Sequence, residues 1–236
     1  MPIKAVLFDF MGTCLNWHAS ITAALPPSLQ PDDLRSRFAL EWRQTYFDYN
    51  AARLAAGQPP EDIDISHRLT LHTLLATPEW SPHQPAFDDI NVVDECVAAW
   101  HNQPAWPDVK PALEELRERG YEICVHANGT TRLQLDLCRS SGLRFDMLFS
   151  SELLGVIKPA PENYRRCLGL LKYRPDECVM VAAHAYDTRG AKAVGMKTVY
   201  IYRSTDDILE DQEVVRGEHD AYLDGMARLA ETVAGL

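Results

Sequence analysis

The residues able to do chemistry in this chain stand behind short apolar runs. The first run, Ile3-Lys4-Ala5-Val6-Leu7-Phe8, ends in Asp9 and is followed by Phe10-Met11-Gly12-Thr13. A buried strand that delivers one carboxylate to the C-terminal edge of a sheet is a good place for a nucleophile. An ordinary strand and glycine turn fit the same segment. Two residues after Asp9 there is no second carboxylate; that position is Met11. Asn128 and Asp187 also fall at or just after strand-like runs, and Lys158 lies in a connection before a helix. Ligands of open parallel sheets sit beyond the C-terminal strand ends, near the switch in strand order. The pattern thus sends Asp9, Asn128, Lys158 and Asp187 toward one pocket.

The elements that must position them read as an α/β core with a helical insertion. After the first strand, residues 16–102 show helix-like spacing and no convincing strand. Pro31-Asp32-Asp33 opens a long amphipathic segment in which Leu34, Phe38, Leu40, Trp42, Phe47 and Leu54 recur at roughly helical intervals. Gly57-Gln58-Pro59-Pro60 breaks it. Residues 64–76 and 88–101 read as two further helices, separated by the Pro- and Ser-containing stretch 77–85. From Pro107 the pattern alternates: helices from 107 and over 130–141, 162–171 and 185–194, strands over 121–126, 146–149, 178–183 and 197–202. Alternation of this kind predicts a Rossmann-like, doubly wound parallel sheet covered on both faces. The core would comprise residues 1–15 and 103–236, with 16–102 as an inserted helical cap closing the pocket from above.

Composition narrows the function classes. The 236 residues are enough for one large α/β domain or a core with a smaller insertion. A net charge of −11 without a basic cluster speaks against a nucleic-acid surface, while a single buried Arg or Lys suffices for a small anion. Cys14, Cys96, Cys124, Cys138, Cys167 and Cys178 form no CxxC pair and no metal-ligand spacing, so buried free thiols in a reducing compartment are expected. No stretch approaches the roughly 20 apolar residues of a membrane span, and the first apolar run, broken by Asp9, does not read as a signal peptide. A soluble cytoplasmic protein with no membrane partner is the expectation.

Asp9-Phe10-Met11-Gly12-Thr13, Trp42-Arg43-Gln44, Ala127-Asn128-Gly129, Lys158-Pro159 with Tyr164, and Val181-Ala182-Ala183-His184-Ala185-Tyr186-Asp187 occur in a family order. Together they resemble the haloacid dehalogenase superfamily over nearly the whole chain, and within it the L-2-haloacid dehalogenases. The resemblance implies a hydrolase needing no cofactor and no metal. Asp9 would attack the carbon bearing the halogen and form an aspartyl ester, which water then cleaves. Thr13 and the amides around Phe10, Met11 and Gly12 would hold the Asp9 carboxylate. Lys158 would keep Asp9 ionised and stabilise charge during hydrolysis, Asp187 would orient Lys158 and help position water, and Tyr164 would orient Lys158 or the substrate carboxylate. Arg43, the Asn128 amide and the edge of Tyr186 would cradle the leaving halide. The implied partner is a small 2-halocarboxylate or related molecule, and the resemblance allows a homodimer.

Three positions depart from the family pattern: Ala127 and Ala182 replace serines, and His184 replaces an asparagine. Loss of the first hydroxyl removes a donor to the substrate carboxylate, worth about 1 kcal/mol when buried. His184 reads either as a general base for the hydrolytic water or as a hydrogen-bonded histidine at a strand end. The competing functions are an epoxide or other specialised metabolite handled in the same pocket, a Mg²⁺-dependent phosphatase, and a catalytically silent binding protein. A phosphatase needs a second Asp where Met11 stands, and a thioether neither protonates an alkoxide nor suits Mg²⁺.

Overall fold

The computed structural model describes residues 2–59 and 61–236; Met1 and Pro60, the last residue of the expected 57–60 breaker, lie outside the described residues. The strands are β1 Ala5–Phe8, β2 Glu122–Ala127, β3 Met147–Ser150, β4 Cys178–Ala182, β5 Lys197–Ile201 and β6 Ala221–Leu223. They pair in parallel in the order β3-β2-β1-β4-β5-β6, with Phe8 opposite Val125 on one side and Val181 on the other. Every residue of β1 and β4 is buried. Central strands of a two-sided parallel sheet have no solvent face, which is why both read as continuous apolar runs rather than alternating ones. Strand order reverses at β1, so the crevice between the ends of β1 and β4 is the place where such sheets take ligands. Asp9 opens onto it directly.

Between β1 and the rest of the sheet come α1 Trp17–Ala24, α2 Asp32–Ala55, α3 Ile63–Leu75 and α4 Ile90–Ala98. The chain leaves and returns side by side: Leu15 bridges Ala105, Asn16 N donates to Pro104 O at 2.9 Å and Trp106 N to Cys14 O at 3.0 Å. Asn16 also caps α1, its side chain accepting from Ala19 N, a bond worth about 1 kcal/mol. An aromatic cluster holds these helices together, with Phe38 stacked on Phe87 at 5.5 Å and edge-on to Trp80 at 4.9 Å. Rings of this size dominate core energetics, and truncating one to alanine costs about 3–5 kcal/mol.

The helices that follow are α5 Val109–Glu118, α6 Thr131–Ser141, α7 Ser151–Leu154, α8 Pro161–Leu171, α9 Ala185–Ala193, α10 Gln212–Glu218 and α11 Leu229–Ala234. Thr130 caps the start of α6, and Gly142 at φ +69° ends it in the left-handed region that glycine tolerates best. Part of the stretch expected to separate two helices is itself a 3-10 helix, Ser81–Phe87, whose prolines leave few N–H groups for a regular ladder. Neither β6 nor α10 and α11 was expected from sequence. Three half-buried edge residues carry too little period-2 signal to announce a strand. All six cysteines are free, and five of them are buried. Among the described residues no helix is long and apolar enough to cross a membrane.

Candidate active site

Asp9 leaves the end of β1 only 5 % exposed, and its two oxygens have different neighbours. Lys158 Nζ donates to Oδ1 at 3.1 Å, whereas Oδ2 accepts from Thr13 Oγ1 at 2.8 Å and contacts His184 Nδ1 at 3.0 Å. Thr13 is itself fixed from the residue after β4, since its Oγ1 accepts from Ala183 N at 2.8 Å. Burial pushes the Asp9 carboxyl up, but the Lys158 ammonium and the bonds from His184 and Thr13 outweigh it and hold it well below the usual carboxylate range. Asp9 is an anion at any working pH.

Lys158 is the hub. Its side chain is wholly buried, and Nζ donates to Asp9, to Asp187 and to His126 O at 2.7 Å, so each ammonium hydrogen has an acceptor. Burial lowers its pKa, yet Asp187 and Asp9 raise it beyond its ordinary value. Asn128 clasps the Lys158 backbone from both sides, accepting from Lys158 N at 2.8 Å and donating to Lys158 O at 3.1 Å. One amide hydrogen of Asn128 is therefore committed to the clasp, and the other is left for the cavity it lines.

Asp187, on the first turn of α9, is fully buried and accepts from Tyr164 Oη at 2.7 Å as well as from Lys158. Burial pushes Asp187 up against the pull of Lys158, and the Asp9 charge adds to the rise, which leaves Asp9 the more acidic of the two carboxyls. Gly190 permits this contact, because a Cβ there would stand 2.6 Å from the Tyr164 hydroxyl. Tyr164 is completely buried and lies outside the cavity lining, so its expected contact with a substrate carboxylate is corrected: it positions Asp187 and through it Lys158. Phe10, which the family pattern would place among the substrate-binding residues, is corrected likewise. Its ring packs edge-on against Phe145 at 5.4 Å, inside the core, rather than against a ligand. Met11 does line the cavity, with Gln103 Nε2 at 3.3 Å from its sulfur.

His184 is where the structure changes the reading most. Its Nδ1 faces Asp9, and its Nε2 faces Asp206 Oδ1 at 3.0 Å. Burial alone would lower the ring's pKa, but Asp206 and Asp9 together raise it to about 10. The ring is an imidazolium at neutral pH, and both its N–H groups are already donated, so of the two readings the hydrogen-bonded histidine stands rather than the general base, as a second cation on the nucleophile. Asp206 was missed in the sequence, where it is one of two adjacent acids in the loop after β5. Trp17 Nε1 donates to it at 3.1 and 3.2 Å and Thr205 Oγ1 at 3.0 Å. Gly12, at φ +85°, is required here for a second reason, because a Cβ would collide with the Asp206 carboxylate.

Arg43 comes from α2. It is 5 % exposed, and its Nε and Nη1 are buried without an acceptor among the described residues. Aromatic faces surround it instead: Phe47 at 4.6 Å, Trp17 at 5.3 Å, Trp100 at 5.5 Å and Tyr46 at 5.9 Å from the guanidinium carbon. Phe47 also meets the His184 ring at 5.5 Å and the Tyr186 ring at 6.2 Å, which ties Arg43 to the Asp9 neighbourhood. Asp9, Met11, Arg43, Asn128, Lys158, His184 and Tyr186 all line one cavity of about 540 Å³. Ala127 lines it too, whereas Ala182 is buried within β4.

A magnesium ion does not fit these residues. Mg²⁺ demands hard oxygen ligands, whereas both Asp9 oxygens are taken by cations and a hydroxyl. The thioether of Met11 stands where a second carboxylate would be needed. Among the described residues no group of three or more His, Cys, Asp or Glu is arranged to hold a metal.

Comparison with known proteins agrees with the fold. The model of the haloacid dehalogenase-like hydrolases matches residues 3–195. An (S)-2-haloacid dehalogenase of Pseudomonas sp. (strain CBS-3) is 26 % identical over 204 residues, covering 86 % of each chain. The crystal structure of the defluorinating L-2-haloacid dehalogenase Rha0230 superposes with a TM-score of 0.83 at 30 % identity, over 98 % of this chain and 95 % of that one. Phosphatases also match, among them a glyceraldehyde 3-phosphate phosphatase of Methanopyrus kandleri, 31 % identical over 238 residues and covering 91 % of this chain and 94 % of its own.

Proposed function

We propose that this chain, which belongs to the haloacid dehalogenase-like hydrolases, cleaves the carbon–halogen bond of a 2-haloalkanoic acid through an aspartyl ester on Asp9. One observation carries the reading. An obligate carboxylate anion, held by Lys158, Thr13 and His184, shares its cavity with Arg43, a buried cation that has no carboxylate of its own. A nucleophile and a separate anion receptor are what halide displacement requires.

Asp9 Oδ1 carries one donor and Oδ2 two, so Oδ1 is the freer to attack. Its electron pair forms the C–O bond at C2 as the C–X pair departs with the halide toward Arg43, the remaining Asn128 hydrogen and the edge of Tyr186. Attack opposite the leaving group inverts C2. Water then adds to the ester carbonyl, and the electrons move onto Oδ2, where Thr13 and the His184 imidazolium already donate. Donors placed where charge develops are typically worth about 10²–10³ in rate each. Collapse returns the pair, expels the 2-hydroxy acid and restores the carboxylate; one water proton ends on the product hydroxyl and the other in solvent. Five buried free thiols suit a cytoplasmic location. Met11 and the occupied oxygens of Asp9 weigh against the phosphatase reading.

The test is halide release from L- and D-2-bromopropionate in EDTA, comparing the wild type with Asp9→Asn. Release from the L isomer alone, lowered at least about 10⁴-fold in the variant, is expected for a residue that makes the reacting bond. Undiminished release by Asp9→Asn, or none from folded wild-type protein on any 2-haloacid, sinks the proposal and turns attention to epoxides in the same pocket.

A further inference from the structure

The cavity above Asp9 is larger than a small haloacid needs. It measures about 540 Å³. Allowing roughly 30 Å³ per non-hydrogen group, a three-carbon 2-haloacid fills about 180 Å³ at most. The cations in its wall are confined to the reacting end: Lys158 and His184 touch Asp9, and Arg43 adjoins His184 through Phe47. The other charged groups lining it are the carboxylates Asp48, Asp206, Asp207 and Glu210. A second anionic group on the substrate would meet no cation there among the described residues.

Among these carboxylates and the uncharged Gln44, Asn50 and Thr205, the wall also carries an aliphatic strip. Leu40, Ala51, Leu54 and Ala55 of α2 line it from one side, and Ile208 and Leu209 of the loop between β5 and α10 from the other. Ile208 is 50 % and Leu209 77 % exposed, although the loop that carries them is firmly tied. Asp206 holds His184 and Trp17; Asp207 accepts from Ala185 N at 2.6 Å and Tyr200 Oη at 3.1 Å; Glu210 pairs with Arg189 at 2.7 and 2.8 Å. Polar anchors at 206, 207 and 210 thus fix two large apolar side chains at the cavity mouth. Exposed aliphatic groups presented so rigidly beside a pocket are suited to covering an apolar ligand.

We infer that the substrate is a 2-haloalkanoic acid bearing an uncharged alkyl tail of about six carbons or more beyond C2, lying between α2 and the 204–211 loop. The inference rests on the dehalogenase reading for its head group and on the cavity for its tail. Burial of each methylene adds binding that is the same in ground and transition states. It therefore lowers KM and raises kcat/KM up to about fourfold per methylene.

The experiment is a chain-length series of L-2-bromoalkanoates from three to ten carbons, with 2-bromosuccinate as the doubly charged control. Expected are a kcat/KM that climbs through at least eight carbons by way of KM, and poor turnover of the control. Ala51→Trp, which fills the outer wall, and Leu209→Asp, which charges it, should each cut the eight-to-three-carbon preference at least tenfold. A series that peaks at three carbons, or a preference unmoved by both variants, overturns the inference while leaving the dehalogenase reading standing. If no bromoacid is turned over, calorimetry with 2-hydroxyoctanoate and 2-hydroxypropanoate separates the two. Tighter binding of the longer acid keeps the tail site and rejects only the reaction; equal or absent binding overturns the tail site as well.

Discussion

Lys158 and Arg43 are two buried cations in the wall of one cavity, and their surroundings are opposite. Lys158, from the α/β core, gives every ammonium hydrogen to an acceptor, two of them carboxylates. Arg43, from the inserted helices, keeps Nε and Nη1 without an acceptor and rests among four aromatic faces. Burying an ion costs several kcal/mol unless a counter-charge offsets it. Aromatic faces stabilise a cation by about 0.5–2 kcal/mol without neutralising it, so they leave its attraction for an incoming anion nearly whole. The difference separates a charge that builds the site from a charge held in reserve for a ligand.

That distinction is sharpest at Lys158. Lys158→Met should leave buried Asp187 with no cation and Asp9 with His184 alone, and breaking a buried pair in this way destabilises by about 3–5 kcal/mol. Urea unfolding at neutral pH is the measurement, and most of the loss should vanish in acid, where the two carboxyls take up protons. A loss under about 1 kcal/mol would show that Lys158 is not the structural hub its bonds imply.

His184 stands between the two cases. It has two carboxylate partners, but one of them, Asp9, loses its charge whenever the ester forms. His184→Asn keeps one donor and removes the cation, which should cost about 1–3 kcal/mol. The pH signature follows from the ring's raised pKa, about 10 against an ordinary 6.5. The folded state holds this proton more tightly than the unfolded chain, so the contribution is complete below about pH 6.5 and is lost as pH rises through about 10. The stability gap between wild type and variant should therefore narrow over that window. A gap that widens instead would mean that the ring is neutral in the folded protein.

The same contrast explains what could be read from the sequence. Asp9 and Asp187 were legible because buried parallel strands are continuous apolar runs whose ends mark where a site must be, whereas Thr13 and Lys158 took their roles from the family resemblance. The helical character of the insertion was legible from the spacing of Leu34, Phe38 and Trp42. The partners of those residues were not. Asp206 meets His184 across 22 residues and Trp17 across 189, contacts that no local period encodes. Its one signal was an acidic pair just beyond the strand expected at 197–202, the edge where ligands gather. Motif spacing put Tyr164 and Phe10 near the substrate, but spacing carries position along the chain and not which way a ring turns: Tyr164 faces Asp187 and Phe10 faces the core. The protonation of His184 was invisible for the same reason, since it is set by two carboxylates distant in sequence.

Arg43 carries the smallest predicted change in stability and the most decisive comparison. In Arg43→Met the lost cation–π attraction, about 0.5–2 kcal/mol, is offset by relief of two buried N–H groups without acceptors, about 1–3 kcal/mol each where fully unpaired. Methionine fills the aromatic box with a polarisable side chain of comparable reach. Unfolding free energy should thus stay within about 1 kcal/mol of the wild type, while halide release falls at least about 10²-fold, as on loss of a donor aimed at developing charge. Such a split between stability and turnover is what a reserved charge must produce. A variant that unfolded as readily as Lys158→Met would make Arg43 part of the scaffold, and the halide would need another receptor in the cavity.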